Sequence, residues 1–379
     1  MRKYVVAIAL LLVAAAGLWW WLGREKVLLD LLPAKCKAVV RLSSQVYAAS
    51  GAEALFRDLV GLPAAEPAGE DLYLFITPNE YFGAAMTLAD AAAFDAALTT
   101  SVAHSRESGI DWYWTQQGWL AARRGTTLLV AGPATVAERD RLRHTLSVMF
   151  DAPASEGFGH SPEAQALTAA GPMAFVASAS VLPAPVGTLL RLGLPETAQR
   201  ISGHAASQGQ ALTIEGGIVG QAHQSIPRTE NRASCLLQAA LNVDGGELLR
   251  CLRSDDMLRM MLTALSDTTS AAEKIRRMHA TSTLLVTAVD TAGNATFRLS
   301  GTDAEGRNVV LSSTPPAADV EPLKMPLTAR TYVLVNLTTL LASPLPESLR
   351  QVFQHLFGNY RQAEFTTTAA GDFCFTLTP

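Results

Sequence analysis

The feature that most constrains this chain is the run from Tyr4 to Leu22, nineteen residues without a charge, between Met1-Arg2-Lys3 and Gly23-Arg24-Glu25-Lys26. Wound as a helix it measures about 28 Å, close to the hydrocarbon thickness of a bilayer. Two readings compete. A cleaved secretory signal has an apolar stretch of about 7–15 residues and then a small-residue cleavage site, and Ala14-Ala15-Ala16-Gly17 supplies such a site. The run continues past it, however, into Trp19, Trp20 and Trp21. Tryptophan favours the headgroup level, where an apolar ring and an N–H donor are both satisfied. With Tyr4 at the opposite end, the pattern favours a retained transmembrane helix with Arg2, Lys3, Tyr4, Trp19, Trp20 and Trp21 at the membrane interfaces. Arg2 and Lys3 slightly outweigh the charges after the run, which places the N-terminus in the cytoplasm. The expectation is a single-pass signal-anchor (1–26) in the inner membrane, with the body in the periplasm. Cys36 follows Pro33-Ala34-Lys35 beyond the apolar run, so it does not sit in a lipidation box.

The remaining residues suffice for two domains with sizeable cores. A net charge of −4 argues against nucleic acid, because there is no basic stripe to displace counterions. The four cysteines, Cys36, Cys235, Cys251 and Cys374, are widely spaced and form no CxxC. Four thiols allow three pairings, between which sequence does not choose. Cys374, within Phe373-Cys374-Phe375, also suits a small buried hydrophobe.

A local grammar recurs: an apolar strand, a Ser, Thr or Asp stop, then an amphipathic helix. Its clearest pair is Leu32 to Ser44 and Leu327 to Thr339, which match in residue class without gaps. Weaker relatives are Met173 to Ser178 and Leu236 to Val243. The long period points to duplicated α+β units rather than a solenoid. Thr135 and Glu138 form a capping box ahead of a helix that carries Leu142, Leu146 and Met149 on one face. Asp90 opens another with Phe94 and Leu98. Further helices are expected from Asp244 to about Leu265 and from Pro346 to Gly358. Hairpin signals lie at 111–130, at 284–299 around Asp290-Thr291-Ala292-Gly293-Asn294, and in the last 20 residues around Gly371-Asp372. Short turns join antiparallel neighbours, so the predicted class is α+β: an N-terminal transmembrane helix, then two mainly antiparallel-sheet domains with degenerate internal repeats. Their predicted bounds are 27–150 and 172–379, with 151–171 as linker. Residues 313–326, with four prolines, read as a loop.

Catalytic signatures do not emerge. The seven histidines lie too far apart in sequence for HExxH or similar local metal pairs. No P-loop, GxGxxG or GxSxG is present. Asp255 and Asp256 point about 100° apart on a helix and do not converge on one proton. Met257, Met260 and Met261 suit core packing or an adaptable apolar face. Alternation sends Trp112 and Trp114 to one face of a strand and Tyr113 to the other, so one face is core. The aromatics, with Trp119, are also candidates to line a binding groove. No catalytic residue, metal site or cofactor is expected.

The apolar N-terminal run, the opening Leu32-Pro33-Ala34-Lys35-Cys36-Lys37-Ala38-Val39-Val40-Arg41-Leu42 and the Asp90-Phe94-Leu98 helix together resemble uncharacterised extracytoplasmic proteins of Bacteroidota, in families named only as domains of unknown function. The resemblance covers the general layout of most of the chain through short motifs, and carries over no catalytic residues. This chain departs from those families in having no lipidation cysteine after the apolar run. The resemblance also implies O-glycosylation at Thr291 and Thr268, in Asp290-Thr291-Ala292 and Asp267-Thr268-Thr269.

The function expected is a membrane-anchored, envelope-facing binding or scaffold protein with a protein partner in the envelope. Two alternatives stand beside it. One is a membrane-tethered hydrolase whose site assembles from distant residues. The other is an accessory subunit of a larger membrane complex.

Overall fold

A computed structural model describes residues 27–49, 57–63, 65–69, 71–99, 102–168, 171–178, 181, 200–208, 211–227, 231–232, 236–244, 277, 281–288, 295–312, 328–342, 354 and 357–379. The chain divides into two compact units. The first takes the described residues up to Cys36 and Tyr47–Ala164; the second takes Lys37–Val46 and Gln165–Pro379. Strand β1 (Ala38–Ser43) therefore belongs to the second unit although it lies early in the sequence.

In the first unit six strands form an antiparallel sheet: β2 (Asp71–Ile76), β3 (Phe82–Thr87), β4 (Ala103–Glu107), β5 (Ile110–Trp114), β6 (Leu120–Arg124) and β7 (Thr127–Gly132). Their spatial order is β2-β3-β7-β6-β5-β4. Tight turns set the register. Ser108 and Gly109, at φ 52° and 75°, join β4 to β5 as a two-residue type I′ turn, whose twist matches the flanking strands. Leu120, Ala121, Ala122, Leu128, Leu129, Val130 and Ala131 are all buried, so the two central strands are covered on both faces.

One face of this sheet carries the chain's longest described helix. A short α1 (Leu28–Leu31) comes first in sequence, and α2 (Ala91–Ala96) follows β3. The long helix is α3 (Arg139–Asp151), entered through a 3-10 turn. At that turn the Thr135 N–H donates to Glu138 Oε2 over 3.0 Å, and its hydroxyl donates to the same oxygen over 2.8 Å. The backbone and side chain of Thr135 thus hold the Glu138 carboxylate below its usual pKa. Leu142, Leu146, Met149 and Phe150 are the buried stripe of α3, spaced for a 3.6-residue period. Arginines lock the docking: Arg139 lies over the Trp114 ring and Arg143 over Trp112, 5.3 and 4.8 Å from the centroids. From the sheet, Arg124 lies 4.8 Å over Phe150 and donates to Asp151 at 2.8 Å.

The second unit is a longer antiparallel sheet. Its further strands are β8 (Met173–Ser178), β9 (Arg200–Gln208), β10 (Ala211–Ile218), β11 (Leu237–Asp244), β12 (Thr281–Ala288), β13 (Ala295–Thr302), β14 (Asn308–Ser312), β15 (Ala329–Asn336), β16 (Gln362–Thr368) and β17 (Phe373–Thr378). They run in the order β1-β8-β9-β10-β17-β16-β15-β11-β12-β13-β14. One face is apolar, with Ile201 and Phe373 packed against Phe175, Ile214 and Phe365. Leu337, at the start of α4 (Leu337–Ala342), joins Ala363 and Leu377 in a second cluster. Ala mutation at Gly216 would bring a Cβ to 2.1 Å from Ser202 O, so close strand packing requires glycine there.

Two expectations need correction. The α+β class gives way to units built mostly of antiparallel sheet, with few and short helices among the described residues. Within that sheet both members of the clearest repeat pair are a strand followed at once by a short helix, β1 by Ser44–Ala49 and β15 by α4, while β8 and β11 are further strands of the same sheet. Finally, no helix among the described residues is long and apolar enough to cross a membrane. α3 spans 13 residues where about 20 apolar ones are needed, and it carries a charged flank. The single-pass signal-anchor and the inner-membrane placement with a periplasmic body rested on residues 4–22, which lie outside the described residues, and are withdrawn. The helix expected after Asp244, the loop at 313–326 and the Asp290–Asn294 turn also lie outside the described residues; of the helix expected from Pro346 to Gly358, Gln354 and Phe357 are described and helical, with the Gly358 N–H donating to Gln354 O over 2.9 Å. Residues 154–168 fold into three 3-10 turns that bury Phe158 and Leu167.

Candidate functional site: a groove beside the long helix

The site is built on two backbone elements. The first is the segment Asp30–Lys35 after α1, fixed by the Phe158 N–H donating to Leu32 O over 2.7 Å and by an antiparallel bridge between Pro33 and Gly157. Gly157 is required by this approach, because a Cβ there would lie 2.1 Å from Asp30 O. The second element is the flank of α3 that the sheet leaves uncovered. Between them lies a groove of about 470 Å³. Leu31, Leu32 and Met149 are buried and form its apolar floor. Val148, Ala152, Pro33, Ala34 and Pro78 line the sides, and Val148 remains 48% exposed. Polar groups mark the rim: His144, Thr145 and Asn79, then Asp30, Lys35 and Glu156. Such a volume falls within the range of ligand-binding clefts, with apolar walls for affinity and a few polar groups for orientation.

A second polar constellation lies on the same unit. Tyr113 on β5 donates its hydroxyl to Asp95 Oδ1 over 2.7 Å and accepts from Arg123 Nε over 3.2 Å. Arg123 also donates to Asp95 Oδ2 at 2.7 Å and Asp111 Oδ2 at 2.9 Å. Phe94 of α2 meets the Tyr113 ring edge-on at 5.8 Å, and His104 stacks on it at 5.0 Å. Burial, and then the hydrogen bond to Asp95, push the Tyr113 hydroxyl up to about 12, against the opposing pull of Arg123. Tyr113, Arg123, Asp95 and Asp111 pair with one another, and Arg123 Nη1 also donates to Gly125 O over 2.8 Å, so the chemistry is that of a structural clamp joining α2 to three strands.

In the second unit, cross-strand pairing places His204, Glu215, Cys374, Thr366 and Tyr332 in one row across five strands. Glu215 sits between the imidazole and the thiol, with its Oε1 4.0 Å from Cys374 Sγ, so cysteine and histidine are not neighbours. Residues 221–227 and 231–232 contact strands of this sheet. The Gln224 N–H donates to Asp372 Oδ1 over 3.3 Å, His223 Nδ1 lies 3.8 Å from the same oxygen, and Asn231 Nδ2 donates to the Tyr332 hydroxyl over 2.8 Å. Among the described residues the His–acid contacts are the pairs Asp30–His160, Asp111–His104 and Asp372–His223. No group of three or more metal-ligating side chains converges among the described residues.

The residues that sequence singled out fare differently. Arg2, Lys3, Tyr4, Trp19, Trp20, Trp21, Thr268 and Thr291 lie outside the described residues, as do Cys235, Cys251, Asp255, Asp256 and the methionines at 257, 260 and 261. Cys36 and Cys374 are buried. Trp112, Tyr113 and Trp119 are buried rather than lining a groove. Sequence reading passed over the groove itself. Its one local signal was Val148, an apolar residue outside the buried stripe of a well-delimited helix.

No family model matches the chain, and no curated protein matches it. Among solved structures, crystal form I of TP0453 is 11% identical at a TM-score of 0.34, over 53% of this chain and 82% of that one. Crystal form III is 11% identical at 0.35, over 53% and 83%. At these scores the likeness carries no argument about fold or function.

Proposed function

We propose that the chain is a binding or scaffold protein, with the groove between α3 and Asp30–Lys35 as a recognition surface for a segment of a partner protein. The observation that supports this reading is an apolar-floored, polar-rimmed groove of about 470 Å³ whose walls are held by a packed helix and a bridged chain segment. Preformed walls reduce the ordering cost of binding. Val148, half exposed at the lip, is the natural anchor contact.

A photo-crosslinking residue at Val148 tests this in the full chain under native expression, with Val136 as control, since Val136 is 80% exposed and is not part of the groove lining. A discrete, stoichiometric protein adduct from position 148, absent from 136 and abolished by Ala34→Arg, is the expected result. Absence of any adduct at 148, or equal adducts from both positions, overturns the proposal.

A further inference from the structure

We propose that the outer edge of β4 is a strand-addition site for an extended segment of a partner protein with a carboxylate opposite Arg106. The register of the β4–β5 hairpin carries the first half of this inference. In a two-residue hairpin, Glu107 and Ile110 form a hydrogen-bonded pair, and the pattern alternates outward along the ladder. Ser105 with Trp112 and Ala103 with Trp114 are then hydrogen-bonded pairs, whereas His104 opposite Tyr113 and Arg106 opposite Asp111 are not. The N–H and C=O groups of His104 and Arg106 therefore point away from β5, and β4 pairs with no other described strand. All five β4 residues are exposed. An extended backbone is the group that matches two outward donor–acceptor pairs at this spacing.

Charge selects the occupant. His104 and Arg106 lie on one face, across from Tyr113 and Asp111. Asp111 makes its closer contact with Arg123 at 2.9 Å; its other oxygen lies 3.4 Å from His104 Nε2 and 3.8 Å from Arg106 Nε, and the Arg106 side chain is 71% exposed. On the opposite face Glu107 is already paired with Arg143. A partner strand places alternate side chains directly opposite His104 and Arg106 on their own face, where a carboxylate opposite Arg106 is favoured and one opposite His104 can accept a hydrogen bond. A second copy of this strand is disfavoured. The antiparallel self-pairing register that sets Arg106 against Arg106 places like charges opposite, which is destabilising. The site is separate from the groove, and neither reading depends on the other.

The test uses the full chain with fluorescent acetyl-Val-Glu-Val-Glu-Val-amide and its lysine counterpart, read by anisotropy and by amide hydrogen exchange over 102–107. Proline at position 106 removes an outward N–H and no bond to β5, so Arg106→Pro keeps the hairpin while blocking addition; tryptophan emission checks the fold. The expected result is at least tenfold tighter binding of the glutamate peptide, slowed exchange in β4, loss of binding in Arg106→Pro and weaker binding in Arg106→Gln. Equal binding of both peptides, no binding of either, protection elsewhere, or unchanged binding in Arg106→Pro overturns the proposal. Dimerisation of the free chain that Arg106→Pro removes overturns it as well, by making a second copy the occupant.

Discussion

Replacing Tyr113 by Phe removes one hydroxyl and leaves the buried ring in place, so it isolates the polar clamp from its packing. The hydroxyl donates to Asp95 at 2.7 Å and accepts from Arg123 at 3.2 Å. Hydrogen bonds involving charged partners contribute roughly 1.5–3 kcal/mol each. Arg123 still reaches Asp95 directly at 2.7 Å in the variant, and the Asp95 side chain is 42% exposed, so water replaces part of the loss. The expected cost at pH 8 is therefore about 1–2 kcal/mol. Above pH 10 the difference falls. The native hydroxyl is held up at about 12, while the unfolded chain ionises near 10. The unfolded state then releases a proton that the native state keeps, so this stabilisation is complete below pH 10 and is lost as pH rises through about 12. Two pH units correspond to roughly 2.7 kcal/mol, or about 1–2 after screening at the solvent-facing side of the clamp. The wild-type advantage should thus shrink towards zero between pH 10 and 12. Urea titrations of both proteins, read by tryptophan emission, measure it. The described tryptophans, Trp112, Trp114 and Trp119, all lie in the first unit, and Phe at 19, 20 and 21 in both proteins removes the remaining signal. A stability difference that stays constant from pH 8 to 12 would refute the account of a buried, proton-holding Tyr113.

Three further outcomes are expected. Gly83→Ala places a Cβ 2.3 Å from Phe75 Cζ and 2.7 Å from Val130 O, and overpacking of this kind costs about 1–3 kcal/mol, visible as a lower melting temperature by tryptophan emission. Phe158→Ala empties a fully buried site behind the Asp30–Lys35 segment and should cost about 3–5 kcal/mol, with the groove crosslink from Val148 lost in parallel. Asp372→Ala removes the acceptor for Gln224 N–H and the neighbour of His223, so thermolysin should cut ahead of the buried Ile226 several-fold faster, as read by mass spectrometry; an unchanged rate would show that residues 221–227 are held elsewhere.

Local signals in this sequence translate directly into local structure. Thr135 and Glu138 cap the entrance to α3, and Leu142, Leu146 and Met149 are its buried stripe. Asp90 Oδ1 accepts from Ala93 N–H at 2.9 Å and starts α2. Alternation along β5 places Trp112 and Trp114 under the arginines of α3 and turns Tyr113 towards Phe94 of α2. The hairpin around Gly371-Asp372 is formed by β16 and β17. The class as a whole was misjudged because a strand followed by a stop and a helix looks alike whether it closes a small α+β unit or extends a long sheet. The apolar run at 4–22 was weighed by its length, its aromatic ends and its flanking charges, and it lies outside the described residues.

Sequence by itself determined caps, turns and the inward and outward alternation, because each depends on residues within one or two turns of chain. Tertiary structure alone decided that β1 pairs with β8, that β10 pairs with β17, and that Arg123 joins Asp95 to Asp111. It also decided that Asp30–Lys35, Pro78-Asn79 and the flank of α3 surround one groove. These contacts join residues far apart in sequence. What selects them is the burial of facing apolar surfaces and the matching of polar groups, which no short window of residues specifies.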